Sequence, residues 1–392
     1  MKKSLIAFAI LGAFAATASA QSSVTIYGIV DAATVYTTHQ YDKDTKVTGS
    51  KTSINAGELL TSRWGVKGTE DLGGGLKANF NLEGTLANDT GAAGAGFGTA
   101  AGGSPTSQAG STTSLFDRLS WVGLSGAFGA VTVGRNNILG VDSIGLADPL
   151  SLAHAASNPN VAFSALNIAA FSGNFGTNGG GTALRQNNSI KYLTPMVSGF
   201  GGAAMYGFGE QAGNTSANSY AGLSGYFSDG VSGVALAYAE LKDATSNATM
   251  TQWGGGAKYK MDALTFKLTY AQNEVNTTNR KIAVIGAGVD FALSPATTLT
   301  GAYYDSKRSG DASGNLKVDQ YIAMGKYAFS KRTIAYASYT YSKADQVLRN
   351  PYTATSLQAA ANGASDLSMA LGLFGAGQNN GSRIAVGVLH SF

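Results

Sequence analysis

Bulky apolar residues alternate with small or polar residues along most of the chain. The last ten residues show the pattern clearly, because their bulky side chains share one parity: Ile384, Val386, Val388, His390 and Phe392. Successive side chains of a strand point to opposite faces, so such a stretch predicts a strand with one apolar and one polar face. We predict that this last strand pairs with the first strand and closes the sheet into a cylinder.

Turn signals divide the chain into roughly sixteen alternating segments of about 10 to 14 residues. Seven connections are short and eight are long, and the two kinds alternate, as in barrels of outer membranes. The predicted fold is therefore all-β, a 16-stranded antiparallel transmembrane β-barrel. A ring of this size is too wide for side chains to fill and encloses an aqueous channel. Aromatic residues near strand ends, such as Tyr303, Tyr327 and Tyr339, suit the interfacial girdles of such a barrel.

The N-terminus has the pattern of a secretory signal. Lys2 and Lys3 precede an apolar run, and Ala18-Ser19-Ala20 follows it as a cleavage site. The run is too short to cross a bilayer as a helix. We predict a cleaved signal peptide at 1–20 and one barrel domain at 21–392, with no membrane-spanning helix.

Composition narrows the class of protein further. The 392 residues include 53 Gly, 6 Pro and no Cys, which excludes collagen, disulfides and Cys-ligated metals. Three His without Cys make no zinc spacing. Subtracting the two signal lysines from 27 basic residues leaves 25 against 23 acidic ones, a charge of +2 that indicates no nucleic-acid binding. We predict no cofactor, no metal and no nucleic-acid partner.

Basic residues on the polar parity are candidates for the lining of the channel. Arg63, Arg118 and Arg185 are predicted to face inward on the second, fourth and sixth strands, and three lysines are predicted to share that parity: Lys67, Lys77 and Lys191. Such charges, opposed by carboxylates, would set up a transverse field that sorts solutes by sign. The alternative is a lining that is merely solvated. By parity, Arg135 points outward, although a bulge would turn it inward.

Several segments resemble the general diffusion porins of betaproteobacteria. These segments are 23–31 (SVTIYGIVD), 62–77 (SRWGVKGTEDLGGGLK), 121–135 (WVGLSGAFGAVTVGR), 187–192 (NNSIKY), 205–210 (MYGFGE) and the terminal VGVLHSF. The resemblance implies a homotrimer of 16-stranded barrels in which the third long loop folds into each lumen. It also implies that the outer-membrane assembly machinery recognises the terminal strand, for which Val388, His390 and Phe392 are the candidate residues.

The third long loop spans about 136–181 and is expected to act as the constriction. A structureless loop of that length needs a role, and its many apolar residues would be poorly placed in open water. Packing against the inner wall would solve this. Asp142 and Asp148 are its only acidic residues and would then face the basic wall. Residues 353–376, within the stretch 347–379, could form a helical or a coiled cover over the mouth, and the sequence does not decide between them.

The predicted function is a passive, water-filled channel for ions and small hydrophilic solutes, not an enzyme. Its expected location is the outer membrane of a Gram-negative bacterium, in contact with lipid and lipopolysaccharide. The basic wall favours anions. The main alternative is a substrate-specific channel with a saturable site. A barrel enzyme or adhesin and a soluble secreted sandwich are further alternatives.

Overall fold

The computed structural model describes residues 22–41, 47–93, 115–152, 175, 184–310, 315–345 and 378–392. Its elements, in chain order, are β1 (Ser23–Tyr41), β2 (Thr48–Ala56), β3 (Arg63–Gly73), β4 (Leu76–Ala87), β5 (Ala92–Ala93), β6 (Leu119–Gly126), β7 (Gly129–Asn137), α1 (Leu139–Gly145), β8 (Arg185–Leu193), β9 (Phe200–Gly207), β10 (Tyr220–Ser228), β11 (Ser232–Lys242), β12 (Thr249–Met261), β13 (Leu264–Val275), β14 (Arg280–Ala292), β15 (Thr297–Ser309), β16 (Leu316–Ala328), β17 (Thr333–Ala344) and β18 (Asn380–Ser391).

The strands form one closed antiparallel barrel of sixteen strands. Both β2 and β3 pair with β1, one after the other along its length, so together they make a single barrel strand. The two-residue β5 pairs only with the end of β4 and is not a barrel strand. Residues 29–37 of β1 pair with 383–391 of β18, which closes the ring as the sequence predicts.

The two faces of the wall differ as the alternation predicts. Apolar side chains on one parity are exposed, with Val24 68% and Leu223 66% accessible. Val388 and Phe392 of the terminal strand also lie on this outward face. The opposite parity carries polar and small side chains together with buried apolar ones, such as Leu241, Met250 and Ile282. Since a strand has only two faces, an apolar exterior and an interior that holds most of the charged side chains follow from one pattern.

Seven short connections join the strands where the sequence predicts them. Side chains cap several of these turns. Asp229 Oδ1 accepts hydrogen bonds from the backbone N–H groups of Val231 and Ser232, at 2.9 and 2.6 Å. Ser330 Oγ accepts one from Thr333 N at 3.1 Å. Short polar side chains can accept hydrogen bonds from the backbone of their own turn, which explains why such residues separate the alternating segments of the sequence.

The second barrel strand is interrupted at residues 57–62, a break that the sequence did not predict. Asp31 of β1 holds this link, because its Oδ2 accepts hydrogen bonds from Leu59 N (2.6 Å) and Leu60 N (2.8 Å). Its Oδ1 accepts a third, at 2.6 Å, from the hydroxyl of Tyr336 on β17. The link is therefore attached to β1, and the same carboxylate also connects β1 with β17.

A buried ion pair makes the second attachment. The Arg383 guanidinium of β18 binds the Glu58 carboxylate with both Nε and Nη2, the former at 2.7 Å. Arg383 is 5% exposed and Glu58 is 0% exposed. A bidentate pair of this kind also fixes orientation, because the guanidinium fork matches the carboxylate.

Three sequence predictions lie outside the described residues: the signal peptide at 1–20, most of the loop at 136–181, and the stretch 347–379. Within the parts of the chain that the structure describes, no helix is long and apolar enough to cross a membrane.

We expect Glu58→Ala to destabilise the barrel strongly, because it leaves the Arg383 charge buried without its partner. Losing one member of a buried pair costs about 3–5 kcal/mol. Thermal unfolding in detergent, followed by the circular dichroism of the β-sheet, measures the loss. The control is Glu70→Ala, since Glu70 is exposed near the β3–β4 turn. Equal unfolding temperatures for the two variants would contradict the role of this pair.

Candidate functional site

Two arginines converge on one carboxylate on the inner wall. Glu83 of β4 accepts a hydrogen bond at 2.6 Å from Arg118 Nε, and Arg63 Nε lies 3.6 Å from its other oxygen. The Tyr27 hydroxyl of β1 lies 3.0 Å from Glu83 Oε2 and 2.7 Å from Asn81 Oδ1. The sequence-predicted arginines are therefore brought together, but by an acid that the prediction missed.

The side chain of Arg118 contacts this cluster although the alternation of β6 would place it on the outward face. Leu119 and Trp121 of β6 pair with Glu83 and Asn81, so the odd-numbered residues of β6 face inward. Arg118 has the opposite parity and precedes the strand. Its side chain is free to turn to Glu83 because the regular pleat has not yet begun.

A shift in strand register lies at Arg135, whose side chain contacts the cluster. The pairing of β7 with β8 shifts register between Gly134 and Asn136, and Gly134 has a φ of +133°. A Cβ at Gly134 would lie 2.2 Å from the Ser120 carbonyl oxygen, so only glycine fits this backbone. Arg135 Nε then donates to the Asp117 carbonyl at 2.7 Å, and Nη1 donates to Asn187 Oδ1. Arg135 thus contacts the cluster beside a shift in strand register, and the alternative of a bulge that turns it inward stays a prediction.

Arg185 pairs with Asn137 at the start of β8, beyond the register shift in the β7–β8 pairing. Its side chain is buried near Arg118 and Arg135, and Glu83 and Asp117 are the carboxylates within electrostatic range. Its Nε has no hydrogen-bond partner among the described residues. Asp117 is itself engaged, since its carboxylate accepts hydrogen bonds from the N–H and hydroxyl of Thr85, both at 2.7 Å.

The cluster carries an excess of positive charge. It contains four guanidinium groups, Arg63, Arg118, Arg135 and Arg185, against two carboxylates, Glu83 and Asp117. Four minus two leaves a net charge of +2. Screening in physiological salt acts over about 8 Å. A charge surplus on the wall therefore acts on any ion that passes within that distance.

The three predicted lysines differ in their surroundings. Lys67 faces inward, with its Nζ 5.1 Å from the centre of the Tyr27 ring. Lys77 is exposed beside the β3–β4 turn and pairs in register with Asp71. Lys191 is buried, donates to the Asn137 carbonyl at 3.1 Å and forms an ion pair with Asp142.

Residues 138–152 pack against the polar-parity face of the wall. Four glycines on that parity allow the close approach, because added Cβ atoms would meet Leu139, Leu146, Ala147 and Pro149; they are Gly222, Gly233, Gly256 and Gly288. The side chains of Ile138, Leu139 and Ile144 are fully buried. The segment 138–152 thus lies on glycines of β10, β11, β12 and β14.

The two predicted loop acids have different surroundings. Asp142 is 43% exposed and forms an ion pair with Lys191 of the wall. Asp148 is 2% exposed, and its carboxylate accepts hydrogen bonds from Leu150 N, Leu152 N and the Tyr304 hydroxyl. Asp148 is therefore an anchor of the segment, and the expectation that it projects into open space is not supported by this geometry. Burial raises the pKa of the Asp148 carboxyl to about 6, although these hydrogen bonds act in the opposite direction.

A closed barrel of sixteen strands, with a charged inner wall and an apolar exterior, defines a water-filled channel through an outer membrane. The chain belongs to the Gram-negative porin family, which it matches over residues 7–346.

Relatives with known roles support this assignment. The chain is 31% identical to outer membrane porin protein 32 of Delftia acidovorans over 330 residues, which cover 82% of this chain and 74% of that protein. It is 27% identical to an outer membrane porin of Bordetella pertussis, covering 88% and 94%. Its fold matches the anion-selective porin from Comamonas acidovorans with a TM-score of 0.72 and 26% identity, over 95% and 100% of the two chains. The predicted family, barrel, passive channel and outer-membrane location are confirmed.

A cysteine pair tests the position of the segment 138–152. A Cβ at Gly256 would lie 2.8 Å from Ala147 Cβ, so only a small shift is needed for disulfide geometry. The chain has no other thiol to compete. We expect Ala147→Cys with Gly256→Cys to cross-link on oxidation and to leave the single-channel conductance unchanged. Ala147→Cys with Gly301→Cys is the control, since nothing lies within 4 Å of a Cβ at Gly301. A segment that moves freely would fail to cross-link or would change conductance when locked.

Asp148 should make stability depend on pH. Its pKa in the folded chain, about 6, exceeds the ordinary value of 3.8. The folded state therefore gains stability by protonation; the gain is complete below about pH 4 and is lost as the pH rises through 6. The full difference is on the order of 3 kcal/mol. We expect the wild type to lose more thermal stability between pH 4 and 7 than Asp148→Asn, which cannot titrate there. Asp142→Asn is the control at an exposed carboxylate, and equal pH profiles for wild type and Asp148→Asn would contradict the expectation.

Proposed function

We propose that this porin passes small anions in preference to cations, without any catalytic step. The observation that carries the proposal is the net charge of +2 in the cluster around Glu83 and Asp117. A passing anion exchanges part of its hydration for interaction with fixed guanidinium charges, and a cation is repelled by them. The name of the Comamonas acidovorans relative, an anion-selective porin, agrees with this proposal.

The loop at 136–181 is proposed to narrow the channel opposite this cluster. The packing of residues 138–152 on the polar-parity face supports the proposal, as does the ion pair between Asp142 and Lys191. Asp142 supplies the negative side of the transverse field, whereas Asp148 holds the segment in place. In this role Arg63, Arg118, Arg135 and Arg185 set the sign of the field, and Lys191 orients the loop.

The assembled protein is proposed to be a homotrimer in a membrane of lipid and lipopolysaccharide, exported with a cleaved signal at 1–20. The outward position of Val388 and Phe392 supports their recognition by the assembly machinery. His390, exposed on the same parity and 2.9 Å from Thr333 Oγ1, completes this proposed signal.

The reversal potential in a potassium chloride gradient tests the anion preference. We expect Arg118→Gln to lower the chloride-to-potassium permeability ratio up to roughly tenfold, because one unit charge at about 6 Å in a water-like medium changes the energy of each ion by about 0.7 kcal/mol, in opposite directions for the two ions. Glu83→Gln should shift the ratio in the opposite direction. Lys343→Gln, on the outward parity of β17, removes the same charge and should leave the ratio unchanged. An unchanged potential in both cluster variants would show that this field does not control selectivity.

A further inference from the structure

One cavity on the lumen side is lined by apolar residues of the inner wall. Leu119 and Trp121 of β6, Leu193 of β8 and Tyr226 of β10 belong to the inward parity, and Leu146 of the loop segment faces them across a cavity of about 440 Å³. This volume lies within the range of small-molecule sites, roughly 300–1,000 Å³. Apolar surface that faces a wet channel is unfavourable unless something covers it.

Polar groups at one end of the same cavity are suited to hold a charged ligand. Asn136, Asn137, Asp142 and Lys191 line it together. An ammonium group has three N–H donors, of which Lys191 uses two, for the Asn137 carbonyl and the Asp142 carboxylate. The cavity therefore combines an apolar wall with a cation that retains donor capacity.

The net positive charge around the cavity favours a negatively charged ligand. Asn137 lies opposite Arg185 in the β7–β8 register, so the arginine cluster adjoins the cavity. Adding Lys191 and Asp142 to the cluster gives five cations against three carboxylates, which again leaves +2. A carboxylate group fits this end, while a planar ring fits the face of Trp121.

We propose that this cavity is a weak, saturable site for small aromatic monocarboxylates in transit through the channel. The site rests on the proposed anion preference, which brings such solutes into the lumen. An occupant would hold its ring against Trp121 and Leu119 and its carboxylate toward Lys191, and would slow the passage of chloride while it is bound.

Single-channel recording with benzoate and acetate tests the site, since both are monocarboxylates and only benzoate has a ring. At constant ionic strength we expect benzoate to reduce the chloride conductance to a plateau, and acetate to show no saturation. Trp121→Ala should raise the half-saturating benzoate concentration about five- to tenfold, and Trp121→Phe should raise it less. Trp253→Ala, which removes an outward-facing indole, should leave it unchanged. If Trp121→Ala forms no channels, Leu119→Ala takes its place.

The reversal potential is measured on each channel before benzoate is added, so a loss of anion preference and a loss of saturation register separately. Equal saturation by acetate, or a half-saturating concentration that is the same in wild type and Trp121→Ala, would overturn the proposed site. A cation-preferring channel would instead overturn the proposed function.

Discussion

Backbone hydrogen bonding in hydrocarbon is the constraint on which the rest of this structure depends. No water is available there, so each N–H and C=O must find a partner within the chain, and an open sheet edge is not tolerated. The pairing of β1 with β18 meets this requirement, and Gly28 and Phe392 extend the seam by exchanging hydrogen bonds at 3.2 and 3.1 Å. Closure at sixteen strands leaves a wide interior. The need for an unbroken ring thus produces the channel as well as the wall.

The interior is where the chain departs from simple alternation. Glycines replace larger residues beneath the loop segment, which lets Leu139 and Ala147 approach the strands closely. Apolar residues line the cavity around Trp121, and Arg135 contacts the cluster beside a shift in strand register. At each of these positions the alternation along the strand is broken, and a specific contact forms on the lumen side. Such departures are expected at functional positions.

The sequence was sufficient to predict the strands, their short turns, the outward face and the closing seam, because each depends on a pattern with a period of two. It was not sufficient where the pattern breaks. Arg118 lies just before a strand, where alternation no longer fixes the direction of its side chain. The sequence also gives no signal for the interruption at 57–62, between β2 and β3. Ion pairs such as Arg118 with Glu83 depend on the register between strands far apart in sequence, which parity alone does not fix. For the same reason the buried position of Asp148 could not be distinguished from an exposed one.

The link at 57–62 also couples the two ends of the polypeptide. Glu58 pairs with Arg383, which lies 325 residues later in the chain, and Asp31 pairs with Tyr336, which lies 305 residues later. Contacts of such long sequence separation form late, because a large loop must close first. Until the final strands arrive, the early acidic groups lack the partners that compensate their burial. A chain that lacks the final strands would therefore be less stable than the complete barrel, because these two long-range pairs would be missing. Stability thus distinguishes a complete barrel from an incomplete one.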